Sequence, residues 1–253
     1  MMRFGLCTSP DNLALTGRLG FDYIEIPLSL IAAYSEEDFL KLRAAVKASS
    51  LAVERVNVLF PGTIRLIGPE ADKKQIDAYL EGALSRAAAL GTTTAVFGSG
   101  RCRNIPADYS FWKGYRELVL MTRRIGEIAE NYHINIAIEP LNREETNCIN
   151  SLREGAMLQN DADRDSVGLL ADLYHMLREN ESIEDLTLIK DLRHTHIALL
   201  EGRGFPVKKT DETERFFLAL KKIGYRGTMS IEGRTENLES DAAEALRVLR
   251  SMA

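Results

Sequence analysis

"INIAIEPLN", residues 134–142, is the stretch on which the fold turns. Ile134, Ile136, Ala137 and Ile138 put apolar side chains on both faces of an extended chain. A strand solvated on one face alternates apolar with polar residues. A strand covered on both faces, as in a parallel sheet under helices, does not. The run ends on Glu139, and Pro140 follows at once. Proline disfavours helical torsions in the residue before it, so Glu139 is kept extended at the rim of its strand. Charged side chains are seldom buried without a partner. A carboxylate in this place asks for a cation.

The same unit recurs along the chain. Runs at RFGLC (3–7), DYIEI (22–26), VERVNVL (53–59), TTAVFG (93–98), VGLLAD (167–172), HTHIALL (194–200) and GTMSIE (227–232) accompany INIAIE (134–139). Amphipathic stretches lie between them. DAYLEGALSRAAALG (77–91) stops at Gly91, and YRELVLMTRRIGEIAENY (115–132) shows apolar residues at helical spacing. Ser151 and Glu154 offer a capping box for a helix after the fifth run. Eight strand–helix units in 253 residues, with no linker, predict α/β architecture as a single (β/α)8 TIM barrel over residues 1–253. A doubly wound open sheet is the rival, but CTSPDNLALTG after the first strand holds no GxGxxG turn. The irregular FPGTIRLIGPE segment (60–70) reads as a long loop at the barrel mouth.

Composition narrows the partners. The chain is 45% hydrophobic and carries a net charge of −5, without the basic footprint of a nucleic-acid binder. Cys7, Cys102 and Cys148 are odd in number and form no CxxC pair, so they read as reduced thiols. MMRFGLCTSPDN at the start lacks an apolar leader core, and no stretch reaches membrane-spanning length. The expectation is a cytoplasmic protein with neither a membrane nor a nucleic-acid partner. Barrels of this kind often pair through exposed helices, which leaves a homodimer open.

In such a barrel, chemistry sits at the C-terminal ends of strands. Those ends offer Glu139, Asp172, His196 and Glu232 on the fifth to eighth strands. Three converging acids repel each other and partly protonate unless a cation joins them. One divalent metal ion resolves the conflict, and oxygen-rich ligation with one nitrogen suits Mn²⁺ first, then Mg²⁺ or Co²⁺. Each residue has a plainer reading alone: Asp172 caps a helix beginning at Leu173, Glu232 pairs with Arg234, and His196 is a hydrogen-bonded core histidine. Four such side chains on four consecutive strand ends favour the metal.

At these residues the chain is similar to the xylose-isomerase-like TIM-barrel superfamily of sugar phosphate isomerases and epimerases. Within it the chain most resembles the D-tagatose 3-epimerase type of ketose epimerase. The matching segments are IEPLNREETN, DLYHM, HTHIA and SIEG, supported by FDYIEIP and FGSGRCRNIP. The resemblance implies that Glu139, Asp172, His196 and Glu232 bind the metal and that Glu139 and Glu232 are the catalytic acid–base pair. It implies substrate contacts from Glu145, His175 and Arg203. HIALLEGRG is one residue longer than the epimerase pattern before Arg203, and Glu144 stands beside Glu145 as an alternative. The implied reaction is proton transfer next to a ketose carbonyl through an enediolate, giving epimerisation or aldose–ketose isomerisation of a sugar or sugar phosphate. A dehydratase-type lyase acting on inososes or keto acids starts with the same proton abstraction. A non-catalytic sugar-binding barrel is a third reading. An endonuclease IV-like site needs more histidines than His133, His175, His194 and His196 supply.

Lesser features carry alternatives. Glu25 either lines the pocket or forms a salt bridge to a neighbouring strand. His194 lies two residues before His196 on the same side of the strand, as an interior partner or a substrate contact. FGSGRCRN (97–104) offers backbone N–H groups and two arginines to a phosphate, or is a plain turn. Trp112, Phe60 and Phe205 either wall a sugar ring or pack. Cys7 reads as a small apolar filler.

Overall fold

The computed structural model describes residues 2–253. Every apolar run becomes a strand: β1 (Arg3–Cys7), β2 (Tyr23–Pro27), β3 (Ala52–Asn57), β4 (Thr94–Phe97), β5 (Asn135–Ile138), β6 (Val167–Asp172), β7 (Leu192–Ile197) and β8 (Thr228–Ile231). Each pairs in parallel with the next, and β1 pairs with β8 to close the barrel. Parallel neighbours need long crossovers. These carry α1 (Leu13–Arg18), α2 (Leu28–Ala33), α3 (Glu36–Ala48), α4 (Lys73–Ala89), α5 (Gly100–Arg103), α6 (Phe111–Glu130), α7 (Leu152–Ala162), α8 (Leu173–Arg178) and α9 (Asp211–Lys222), and α10 (Leu238–Met252) follows β8. The single (β/α)8 barrel expected from the runs is the fold.

Local chemistry sets the helix ends. Asp72 caps α4 by accepting from the N–H groups of Lys74 and Gln75, and Gly91, at φ +87°, takes the left-handed turn beyond its end. Ser151 caps α7 by accepting from Glu154 N–H, but the box is not reciprocal. The Glu154 carboxylate accepts instead from Asn150 N–H at 2.6 Å, one residue earlier than the spacing predicts. Residues 58–72 carry neither helix nor strand, so the segment after β3 is the long loop read from its composition.

Apolar packing falls into two unequal parts. The larger core lies between the strands and the helices, where α4 buries Ile76, Leu80, Ala83, Leu84 and Ala87 at helical spacing. Each fully buried Leu or Ile of this kind contributes about 1.5–3 kcal/mol. The smaller part fills the lumen with Val96, Ala137 and Leu170 from β4, β5 and β6. The opposite half of the lumen is polar: Glu25, His194, His196 and Ser230 are fully buried there and hydrogen-bonded to one another. TIM-barrel interiors are usually filled by branched apolar side chains. This half is built around hydrogen bonds.

Glu181 gives the fold one pH-dependent element. Its carboxylate accepts from Leu152 N–H at 2.7 Å, and burial lifts its pKa to about 7. Folding therefore favours the protonated form, a contribution present below the ordinary pKa of 4.5 and lost as pH rises through 7. Glu181→Gln keeps an acceptor for Leu152 and cannot ionise. Its stability relative to the wild type should rise by about 1–2 kcal/mol between pH 4.5 and pH 7, allowing for solvent screening. Urea unfolding at pH 5 and pH 8 measures this; the same difference at both values would contradict it.

Candidate metal centre

The ends of β5 to β8 deliver their polar residues to one cup. Asp172 and His196 are partners in the β6–β7 register, while Glu139 and Glu232 follow directly on β5 and β8. One ligand atom from each of Glu139, Asp172, His196 and Glu232 can be chosen so that all lie within 4.8 Å of one another. His196 Nδ1 stands 3.2 Å from Glu139 Oε1 and 3.4 Å from Glu232 Oε2. Asp172 Oδ1 accepts from Tyr174 N–H, whereas the buried Oδ2 has no hydrogen-bond donor. An orphaned buried carboxylate oxygen is costly, and this one lies among possible ligand atoms of Glu139, His196 and Glu232, with Arg203 3.6 Å away. The donor set fits a hard or borderline divalent cation.

The electrostatics agree. Burial raises the Asp172 carboxyl to about 7, and the neighbouring Glu139 adds to the shift. Burial and the charge of Glu232 raise Glu139 as well. Burial also opposes ionisation of Glu232, but His196 and Arg203 hold it well below the usual carboxylate range. Burial disfavours a charged His196, yet the carboxylates of Glu25 and Glu232 draw a proton onto it. Without a cation among them, the acids recruit protons and guanidinium; a divalent ion answers the same need.

A second ring of residues holds the cup. Asn57, at the end of β3, donates to Glu232 Oε1 at 2.7 Å. Arg203 lies 2.5 Å from Glu232 Oε2, 3.6 Å from Asp172 Oδ2 and 3.5 Å from Glu145 Oε1. Its guanidinium stacks 4.8 Å from the Tyr174 ring centroid, and its backbone is left-handed at φ +52° beside Gly202. That left-handed turn brings Arg203 to the mouth beside Glu232, Asp172 and Glu145. His175 Nδ1 accepts from Asn142 N–H at 3.1 Å, so the ring proton sits on Nε2. This buried Nε2, 3.6 Å from Asp172 Oδ2, has no acceptor. Glu145 accepts from Asn142 Nδ2 at 3.2 Å, while Glu144 pairs with Arg178 on the surface. Of the two glutamates, Glu145 is the one beside Asn142 and Arg203.

The description "Xylose isomerase-like TIM barrel" belongs to the family model that matches residues 13–252. The chain belongs to this family. D-psicose 3-epimerase of Agrobacterium fabrum is 28% identical, covering 85% of this chain and 75% of its own. The 3-dehydro-D-guloside 4-epimerase of Escherichia coli is 30% identical over 94% of this chain and 92% of its own. Among solved structures, D-psicose 3-epimerase with D-tagatose from Clostridium cellulolyticum H10 superposes at TM-score 0.87, with 21% identity over 99% of both chains.

Other expected site residues of this xylose isomerase-like barrel lie outside the four-residue cup. His194 does not reach the mouth. It is fully buried in the lumen, with Nδ1 3.0 Å from Thr228 O and Nε2 2.8 Å from Glu25 Oε2, so both nitrogens are engaged away from any substrate. Trp112 stands in the first turn of α6, 69% exposed and edge-on to Phe111, outside the hydrogen-bonded cup. Phe60 packs against Phe97 and Tyr79 in the core. Arg103 is fully buried and donates to the carbonyls of Phe97, Glu139 and Ile149, which removes one of the two arginines from the phosphate reading. Asn57 and Asn142 are site residues that the sequence reading passed over. Asn57 was hidden because VERVNVL was read to Leu59, whereas the strand ends on the asparagine itself.

Gly98 is also part of the cup. A Cβ there would lie 2.2 Å from Glu139 Oε2, so only glycine lets the glutamate lie flat across the end of β4. Gly98→Ala forces that carboxylate aside. Displacement of a reacting group by about 1 Å costs on the order of 10²-fold, and kcat/KM should fall by that amount with little change in Tm. Wild-type kcat/KM in the alanine variant would show that Glu139 has room to move.

Proposed function

We propose that the chain is a divalent-metal-dependent sugar epimerase that inverts a carbon beside a ketose carbonyl by proton transfer between Glu139 and Glu232. The observation that carries this reading is the cup itself. Two carboxylates from strands on either side of β7 face the same imidazole nitrogen, with Asp172 and His196 completing the donor set. A divalent ion there, Mn²⁺ by preference, would act as a Lewis acid on the carbonyl oxygen and its neighbouring hydroxyl, easing the negative charge that develops when the proton leaves. All four residues would hold it.

One glutamate removes the carbon-bound proton from one face and the other returns a proton to the opposite face, which inverts the carbon. Asn57 holds Glu232 from the β3 side by its 2.7 Å hydrogen bond. His175 offers its free Nε2–H to a substrate oxygen, and Arg203 and Glu145 orient hydroxyls at the rim. The relatives described above are named as epimerases of sugars, which supports inversion over elimination. The test is turnover of free and phosphorylated ketoses in D₂O. EDTA-treated protein should be inactive, Mn²⁺ should restore it, and the epimeric product should carry deuterium at the inverted carbon. A dehydrated product would replace this reading with a lyase, and metal-independent turnover would remove the cation from it.

A further inference from the structure

The polar half of the lumen contains a carboxylate that the proposed reaction does not use. Glu25 is fully buried on β2. Its Oε1 lies 3.0 Å from His196 Nε2, its Oε2 lies 2.8 Å from His194 Nε2, and the Ser230 hydroxyl donates to Oε2 at 2.5 Å. Tyr23 OH lies 2.8 Å from Ser230 Oγ, closing the chain of hydrogen bonds below it. No Lys or Arg forms a salt bridge with Glu25 among the described residues; its titratable contacts are the two imidazoles. A buried carboxylate held this way is expensive unless its geometry serves something.

From this arrangement we infer that Glu25 is a positioning residue for His196: it fixes the proton on Nε2 and turns Nδ1 into the cup. The inference rests on the metal reading above. The two ring nitrogens of His196 face opposite ways, Nε2 toward Glu25 and Nδ1 toward Glu139 and Glu232. An anionic acceptor on one nitrogen selects the tautomer whose lone pair lies on the other, fixes the ring plane and raises its basicity as a ligand. His194 in turn locks Glu25. Thr228 Oγ1 lies 2.7 Å from His194 Nδ1 and can donate to it, which leaves the His194 Nε2–H for Glu25, while the rings of His194 and His196 cross at 84° with centroids 4.9 Å apart. The plainer alternative is a buried ion pair that supports the barrel and does nothing for the metal.

Glu25→Gln separates the two. Glutamine keeps the size and one acceptor but removes the charge and allows the wrong orientation. Mn²⁺ affinity by calorimetry should fall about 10- to 100-fold. The visible bands of the Co²⁺-loaded protein should shift, because they report the ligand field at the ion and not the stability of the barrel. Unchanged affinity and bands in Glu25→Gln, beside a wild type that binds, overturn the positioning role and leave the metal reading intact. A wild type that binds neither Mn²⁺ nor Co²⁺ overturns both. Should Glu25→Gln fail to fold, ¹⁵N NMR of the Zn²⁺-loaded wild type decides: a His196 proton on Nε2 supports the inference, and a proton on Nδ1 ends it.

Discussion

Glu232→Gln is expected to lower kcat by about 10²- to 10⁴-fold, the usual contribution of a positioned acid or base. Glutamine fills the same space and can still accept from Asn57 through its carbonyl oxygen, so the Asn57 contact of 2.7 Å is retained. It cannot take a proton, and it no longer offers Arg203 a carboxylate at 2.5 Å. Metal affinity also falls with the loss of a charged ligand, so the rate is measured at saturating Mn²⁺ with the metal content determined. The isotope pattern is more specific than the rate. With one base left, each single variant should exchange solvent deuterium into one epimer only, and Glu139→Gln should choose the other. Turnover within about threefold of the wild type, against the 10² expected of a general base, would take Glu232 out of the proton transfer. Exchange into both epimers would mean that one base serves both faces.

That experiment depends on residues that were readable because of where they stand. Glu139, Asp172, His196 and Glu232 interrupt or end apolar runs, and in a closed parallel barrel every strand end opens on one face. The eight runs therefore announced both the fold and the floor of the site. What supports the floor left a weaker trace. Glu25 sits inside a run and His194 opens one, and a polar residue at an inward position looks the same whether it meets a substrate or a neighbouring strand. Only the register across β7, β8 and β2 brings them together with Ser230. Asn142 looks like a loop residue, and its hold on His175 spans 33 positions of sequence. Trp112 is ambiguous for another reason: the first turn of α6 leaves its indole exposed, as a sugar-stacking aromatic and a plain surface residue both are. Arg103 was the hardest, because arginine beside glycines after a strand has the composition of an anion site and buried arginine is rare.

Arg103 is therefore where the largest loss of stability is expected. Its guanidinium donates to Phe97 O at 3.0 Å, Glu139 O at 2.7 Å and Ile149 O at 3.4 Å, tying the ends of β4 and β5 to the loop that carries Glu145. Among the described residues no carboxylate pairs with it, and burial lowers its pKa. Two effects oppose each other in Arg103→Met, which keeps the length of the side chain. Removing an unpaired buried charge relieves a desolvation cost of several kcal/mol. Phe97 O and Ile149 O keep the N–H groups of Glu139 and Leu141 as donors, so among the described residues the Glu139 carbonyl alone loses its donor, at a cost of about 1–3 kcal/mol. The lost hydrogen bonds prevail if the guanidinium stays charged, because each is charge-assisted and contributes about 1.5–3 kcal/mol. The net expectation is a loss of about 3 kcal/mol in urea unfolding, with a lower affinity for Mn²⁺ because Glu139 loses the anchor on its own carbonyl. Arg103→Lys should recover less than half of that loss, since one ammonium cannot reach three carbonyls with the spread of a planar fork. A methionine variant as stable as the wild type would mean that relief of the buried charge outweighs the three bonds. Glu139 would then be held by Gly98 and the β4–β5 ladder alone.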